Sequence, residues 1–177
     1  QQLLEDIKEA YEAKDSEYFI GSLITIEKEP DRRYDIVDGQ QRLTTLNLIL
    51  ARLRDHISDE AVKADLGKRI LPRNVYTGEA ETPRLLLRKK DQAFFRKHIL
   101  EAQLVADKER EKLEAPQRHL IDNAETIDAF CKEQSQQSLK LFANYLLSKV
   151  YVVFVSTSSW QSAYRLFNVL NARGIPL

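Results

Sequence analysis

The residues best suited to chemistry lie together between Tyr34 and Leu46: Tyr34-Asp35-Ile36-Val37-Asp38-Gly39-Gln40-Gln41-Arg42-Leu43-Thr44-Thr45-Leu46. An apolar run leads into an Asp-Gly turn and then into an amphipathic stretch. This predicts a short buried strand, a tight turn and a long helix. The turn and the first helical turn carry an acid, a glycine, two amides, a guanidinium and two hydroxyls. Ligands of mixed α/β proteins tend to sit beyond the carboxyl ends of strands, where such a turn lies.

Two readings account for these residues. In the first, Asp38 and Gln41 form a capping box and Gly39 makes the turn, with no ligand involved. That leaves Arg42 unexplained, because a cation in the first helical turn faces the positive end of the helix dipole, at a cost of about 0.3–1 kcal/mol. Thr44 and Thr45 are also mediocre helix formers. In the second reading an anion sits on the free amides at the helix start. Arg42 then clamps it through charge-assisted bonds, Asp38 holds a metal ion or positions a water, and Gln40 and Gln41 orient that water or recognise a base or sugar. Neither Gly-x4-Gly-Lys-Ser/Thr nor Gly-x-Gly-x-x-Gly occurs, so any nucleotide binds by another route.

The elements that must position these groups follow from periodicity. A helix is predicted over 1–14, a strand over 18–26, a turn over 27–33 and a second strand over 33–37, making a hairpin that feeds the helix from Gln40 to Ile57. Leu43, Leu46, Leu50, Leu53 and Ile57 form one stripe, expected to pack on the sheet. Further helices are predicted over 58–71 with Ser58 as N-cap, over 91–113, from Pro116 to Lys132, over 139–147 and over 160–172. Residues 72–83 and 156–159 read as loops, 134–138 as a polar connector and 84–87 as a short strand. Tyr151-Val152-Val153-Phe154-Val155 is apolar throughout, which predicts a central strand beside 34–37. The fold class is α+β, predominantly helical with a small mixed β-sheet. A core of residues 1–57 plus 150–177 carries the motif, and 58–149 form a helical subdomain.

Composition limits the function classes. Of 177 residues, 43% are hydrophobic and 31% charged, and formal net charge is zero. A globular core is affordable, and no global field draws the chain to nucleic acid. One cysteine, Cys131, excludes an internal disulfide framework and reads as a small buried hydrophobe. No apolar run reaches the roughly 18 residues of a membrane span, and no signal peptide is evident, which fits a cytoplasmic location. The chain starts with Gln1 and contains no Met, so it is expected to be a piece of a longer protein.

Other clusters have plain explanations. Asn168, Asn171, Arg173 and Gly174 suit a helix C-terminus. Arg84, Arg88, Lys89, Lys90, Arg96 and Lys97 make a basic run that reads as a solvated helix face or as a contact to DNA phosphates. The acidic segment Glu5–Asp31 could instead face it. Phe94 and Phe95 read as core anchors, Phe167 and Leu170 as core, and Trp160 and Tyr164 as packed. His56, His98 and His119 show no ligand spacing and read as surface or cap residues.

Residues 18–24, 36–46 and 167–177, in that order, resemble the N-terminal domain of GmrSD-type, modification-dependent restriction proteins. The resemblance spans nearly the whole chain, and residues 36–46 are highly specific. It implies a ParB/sulfiredoxin-like core with a helical insertion. It implies nucleoside triphosphate binding and hydrolysis, with Mg2+, that licenses restriction of modified DNA. Gly39-Gln40-Gln41-Arg42 corresponds to the phosphate-binding Gly-x-x-Arg turn of the wider group. Gly39, Arg42, Thr44, Thr45, Asn171 and Arg173 are thus nucleotide-binding candidates, Asp38, Gln40 and Gln41 catalytic ones, and Asp38 the metal ligand. Arg84, Arg88, Lys89 and Lys90 are the DNA-binding candidates. The implied partners are DNA and a nuclease domain, in the same chain or a partner subunit, with a homodimer left open. Family members usually carry an extended segment with a Gln-Arg pair and aromatic residues before the first helix, and many carry a His-Asn-His nuclease domain. Neither is in this sequence. A non-catalytic DNA- or protein-interaction module is the alternative, and a ParB-like nuclease ranks last.

Overall fold

The computed structural model describes residues 2–28 and 33–172, without the side chains of 170–172. Among these, helix α1 (Gln2–Glu12) precedes strands β1 (Tyr18–Lys28) and β2 (Arg33–Asp38) and helices α2 (Gln40–His56) and α3 (Glu60–Ile70). Helix α4 (Lys89–Phe94) runs into a π-helical turn, Phe95–Leu100. Then come α5 (Asp107–Arg110), α6 (Ala115–Lys132), α7 (Gln136–Ser148), β3 (Val150–Thr157) and α8 (Trp160–Ala172). The α+β class, mostly helical with a small mixed sheet, is as expected. No helix among the described residues is long and apolar enough to cross a membrane.

The sheet order is β2-β1-β3, with β2 antiparallel and β3 parallel to β1. The central strand is therefore β1, whose residues Ile20 to Ile26 are all buried. This corrects the expectation for β3. It is an edge strand and does not neighbour β2, and Tyr151, Val152, Val153 and Phe154 are 37–51% exposed. A wholly apolar run reports side-chain character on both faces but not which strand lies alongside.

Two clusters make the core. The larger is helical and joins α1, α2, α3, α6, α7 and the π-helical turn. In the smaller one Ile24 and Ile26 meet Ala163 of α8, with Val37, Leu166 and Phe167 against them. It is thus α8 that covers the sheet. The α2 stripe holds in part: Leu53 and Ile57 are buried, but among the helices, where Leu48, Ile49 and Ala51 are buried with them. Leu46 and Leu50 are only partly buried and line an apolar cavity of about 130 Å³ with Ile20, Val150 and Val152. A helix wedged between two layers needs a wider apolar arc than one stripe provides.

Three local predictions change. The N-cap of α3 is Asp59, which accepts from the amides of Ala61 and Val62, and Ser58 lies outside it. Residues 84–87 form no strand, and the local pairing is a single bridge between Arg73 and Ala80. The helix expected over 91–113 breaks after Leu100. There Arg52 donates to the carbonyls of His98 and Ile99, and Arg54 to that of Leu100, satisfying the end of the π-helical turn from α2.

Phe94 and Phe95 are core residues, as read from sequence, and so is Cys131. Burial, reinforced by Asp128, pushes the Cys131 thiol up to about 12, so it stays protonated and inert. His98 is buried rather than a surface or cap residue, with Nδ1 2.8 Å from the Gln103 carbonyl. Trp160 and Tyr164 do not pack; they are 61% and 63% exposed on α8.

Candidate functional site

The site forms where β2 leaves the sheet. β1 pairs Thr25 with Ile36 but Ile24 with Asp38, so β2 carries one extra residue at its end. Such a bulge re-aims the side chain that follows it. Val37 goes into the cluster beneath α8, while Asp38 opens toward solvent at intermediate burial. Among the described residues the Asp38 side chain makes no hydrogen bond or ion pair, and in particular none with Arg42.

Gly39 follows at φ 90° and is the N-cap of α2, with no side-chain capping bond. The expected Asp38–Gln41 capping box is therefore absent. Gly39 itself takes the cap position in a left-handed conformation, so Asp38 falls one residue too early to reach the first amides. A capping box of that kind occurs instead at α6, between Glu114 and Gln117. The first-turn amides of α2 stay open to a ligand. A methyl group on Gly39 would lie 2.3 Å from Cδ2 of Leu23, so glycine is required by space as well as by φ.

Arg42 reaches back over the sheet. Its Nη1 donates to the carbonyl of Ser22 at 2.5 Å. Ser22 lies beyond the last β1–β2 pair, so the guanidinium takes up a backbone acceptor next to the stretch that β2 has vacated. Gly21, at φ 100°, sits under it: a Cβ there would be 3.1 Å from both Cζ and Nη2. β1 also has an extra residue here, since Phe19 pairs with Tyr151 but Ser22 with Val153. Two bulges and two left-handed glycines thus hold one guanidinium. One donor is spent on Ser22, and the rest of the fork meets no acceptor among the described residues.

Residues Val37 to Arg42 line an open, polar cavity of about 430 Å³. It brings together Asp38, Gly39, Gln40, Gln41 and Arg42. Gln40 turns back, donating from Nε2 to the carbonyl of Ile36 at 3.0 Å. Gln41 is exposed, and its side chain makes no hydrogen bond among the described residues. Thr44 and Thr45 donate to the carbonyls of Gln40 and Gln41, one turn earlier, so their hydroxyl protons are held within the helix. The Asn171 side chain and Arg173 lie outside the described residues.

The basic run is not part of the lining of this cavity and lies in the stretch from α3 to the π-helical turn. Arg84, Arg88, Lys89 and Lys90 are all exposed. Lys90 pairs with Glu114, Arg96 with Glu101 and Lys97 with Glu109, so its acidic partners are local and not from 5–31. Arg84, Arg88 and Lys89 have no acidic partner among the described residues. No group of three or more His, Cys, Asp or Glu side chains that could hold a metal ion occurs among those residues.

Sequence reading missed Gly21 and Ser22 as parts of the site. A glycine inside an otherwise β-branched strand was the available signal, since it marks a bulge or a close approach. No curated protein matches the chain significantly. The family model described as "GmrSD restriction endonuclease, N-terminal domain" matches residues 1–177. That match covers the β1 bulge, the Asp-Gly turn and α8 alike, and the chain belongs to this N-terminal domain family of restriction endonucleases.

Proposed function

We propose that this domain binds a nucleoside triphosphate with Mg2+ at the start of α2, hydrolyses it, and so licenses cleavage of modified DNA in a phage-defence system. The setting of Arg42 carries the proposal. A guanidinium held between Gly21 and Gly39, at an uncapped helix start, is already placed to meet an anion and loses little freedom in doing so. Asp38 is unpaired at the same mouth and offers one carboxylate. That suits Mg2+, which keeps its waters and takes one or two carboxylates together with phosphate oxygens. Gln41 is free to orient an attacking water. The chemistry needs no dedicated cage of acidic residues.

A second reading, a DNA-interaction module without turnover, draws on the unpaired Arg84, Arg88 and Lys89. Both readings place the protein with DNA, in the cytoplasm, working with a nuclease domain. Titration with the four ribonucleoside triphosphates and magnesium, for wild type and Arg42→Ala, separates them. Saturable binding lost in the variant, with phosphate release, supports the nucleotide reading. Unchanged binding in Arg42→Ala, or none in wild type at millimolar nucleotide, refutes it.

A further inference from the structure

Leu23 is buried at the meeting point of two surface features. Gly39 packs directly against its Cδ2. Phe154 of β3 stands in register with it from the other side. Phe154 also meets Tyr34 of β2, with ring centroids 5.2 Å apart and planes at 84°. The two rings reach toward each other across β1, where Thr25 is 2% exposed. Register puts Tyr34, Thr25, Leu23 and Phe154 on one face of the sheet. The rings themselves remain 42% and 51% exposed. An aromatic corner, a leucine floor and the Gly39–Arg42 turn thus follow one another on a single surface.

We propose that Tyr34 and Phe154 seat the nucleobase of the nucleotide whose phosphates Arg42 grips. This rests on the nucleotide reading above and adds the base subsite to it. A nucleoside triphosphate has a flat aromatic group at one end and its charge at the other. The protein surface has the same polarity. Tyr34 pairs with Glu27 and Asp38 with Ile24, three residues apart on β1, so the two lie about 10 Å apart along the sheet at about 3.3 Å per residue, the scale of that molecule. Half-exposed rings offer a base a stacking partner that tolerates any of the four bases. The sheet does not need two such rings outside when β-branched residues would cover Thr25.

The test uses the full-length protein, titrated with each ribonucleoside triphosphate and with inorganic tripolyphosphate, both with magnesium. Tyr34→Leu and Phe154→Leu keep apolar cover over Thr25 but remove the stacking ring. Each weakens nucleotide binding by roughly tenfold and leaves tripolyphosphate binding unchanged, while Tyr34→Phe behaves as wild type. Arg42→Ala weakens both ligands. Unchanged nucleotide affinity in both leucine variants overturns the subsite, as does equal weakening of the two ligands. Tripolyphosphate bound by wild type as tightly as nucleotide overturns the subsite but leaves the phosphate site standing. If wild type binds neither ligand, both readings fall.

Discussion

Arg42 and Gly21 are fitted to each other: the Gly21 Cα leaves room for the guanidinium, and a Cβ would lie 3.1 Å from its Cζ and Nη2. Gly21→Ala therefore acts twice. At φ 100° any side chain is strained, on the order of 1–3 kcal/mol, and the methyl pushes Arg42 off its seat. Melting should fall by roughly 2–4 °C per kcal/mol lost, and nucleotide affinity should drop as well. A variant that melts lower yet binds nucleotide as wild type would show that the fit serves stability alone.

Arg42→Lys separates charge from shape. A lysine keeps the charge and can still donate to the Ser22 carbonyl, but it has no fork to share between that carbonyl and a phosphate. Near-wild-type melting with at least tenfold weaker nucleotide binding is expected. Arg42→Ala also abandons the Ser22 acceptor in a buried residue, at about 1–3 kcal/mol. Thermal melts beside the titration separate the two losses, and full binding by Arg42→Lys would reduce the site to a point charge.

For DNA, Arg84, Arg88 and Lys89 should matter more than Lys90, which Glu114 already engages. If the three contact phosphates, each change to Gln lowers the slope of log affinity against log salt by about 0.9. Fluorescence anisotropy with duplex DNA over a salt series reads this directly. Slopes unchanged in the triple variant would assign the run to a solvated face.

Arg52 ties α2 to the π-helical turn and to α6. It donates to the carbonyls of His98 and Ile99 and lies within ion-pair distance of Asp55 and Asp128, with its side chain 12% exposed. Arg52→Ala strands two carbonyls, while Asp55 keeps Arg54 and Asp128 keeps His56. A loss of about 1–3 kcal/mol follows, measurable by urea unfolding. A loss under about 0.5 kcal/mol, typical of surface positions, would mean that the network reorganises around the gap.

Asp59 caps α3 and accepts from Lys140 Nζ at 2.6 Å. The hydrogen bond from Lys140, then that from the Val62 amide, holds its carboxyl below the usual range. A carboxyl depressed in the fold stabilises it above the unfolded value near pH 4, and that contribution is lost as pH falls through the lower folded value. Asp59→Asn should therefore melt below wild type at neutral pH, with the gap closing as pH falls below about 4. A gap that persists at low pH would assign the effect to cap geometry and not to charge.

Much of the candidate site was legible because it is continuous in sequence. Residues 37–42 line the cavity together, and a strand, a glycine and a helix in succession need no distant partner to be read. The strands β1 and β2 and the helix α2 were legible for the same reason, with ends moved by a residue or two, while α7 begins three residues before the expected start, at Gln136. What the order of residues could not supply was the partner of each surface. Asp59 rather than Ser58 caps α3 because its carboxylate reaches two amides and Lys140. The helix after Asp91 turns π and stops because two arginines 46 and 47 residues away collect its carbonyls.

The sequence by itself determined that this is a mostly helical chain with a small sheet, and that its polar groups gather where a strand becomes a helix at Asp38-Gly39. Local periodicity and turn chemistry suffice for that, because they act within a few residues. Only the tertiary structure decided that β1 rather than β3 is central, that no box caps α2, and that Gly21, some twenty residues upstream, seats Arg42. It also decided that Tyr34 and Phe154, 120 residues apart, meet on one face. Strand pairing and bulges set these relationships, and both are properties of two segments brought together, which no single segment contains.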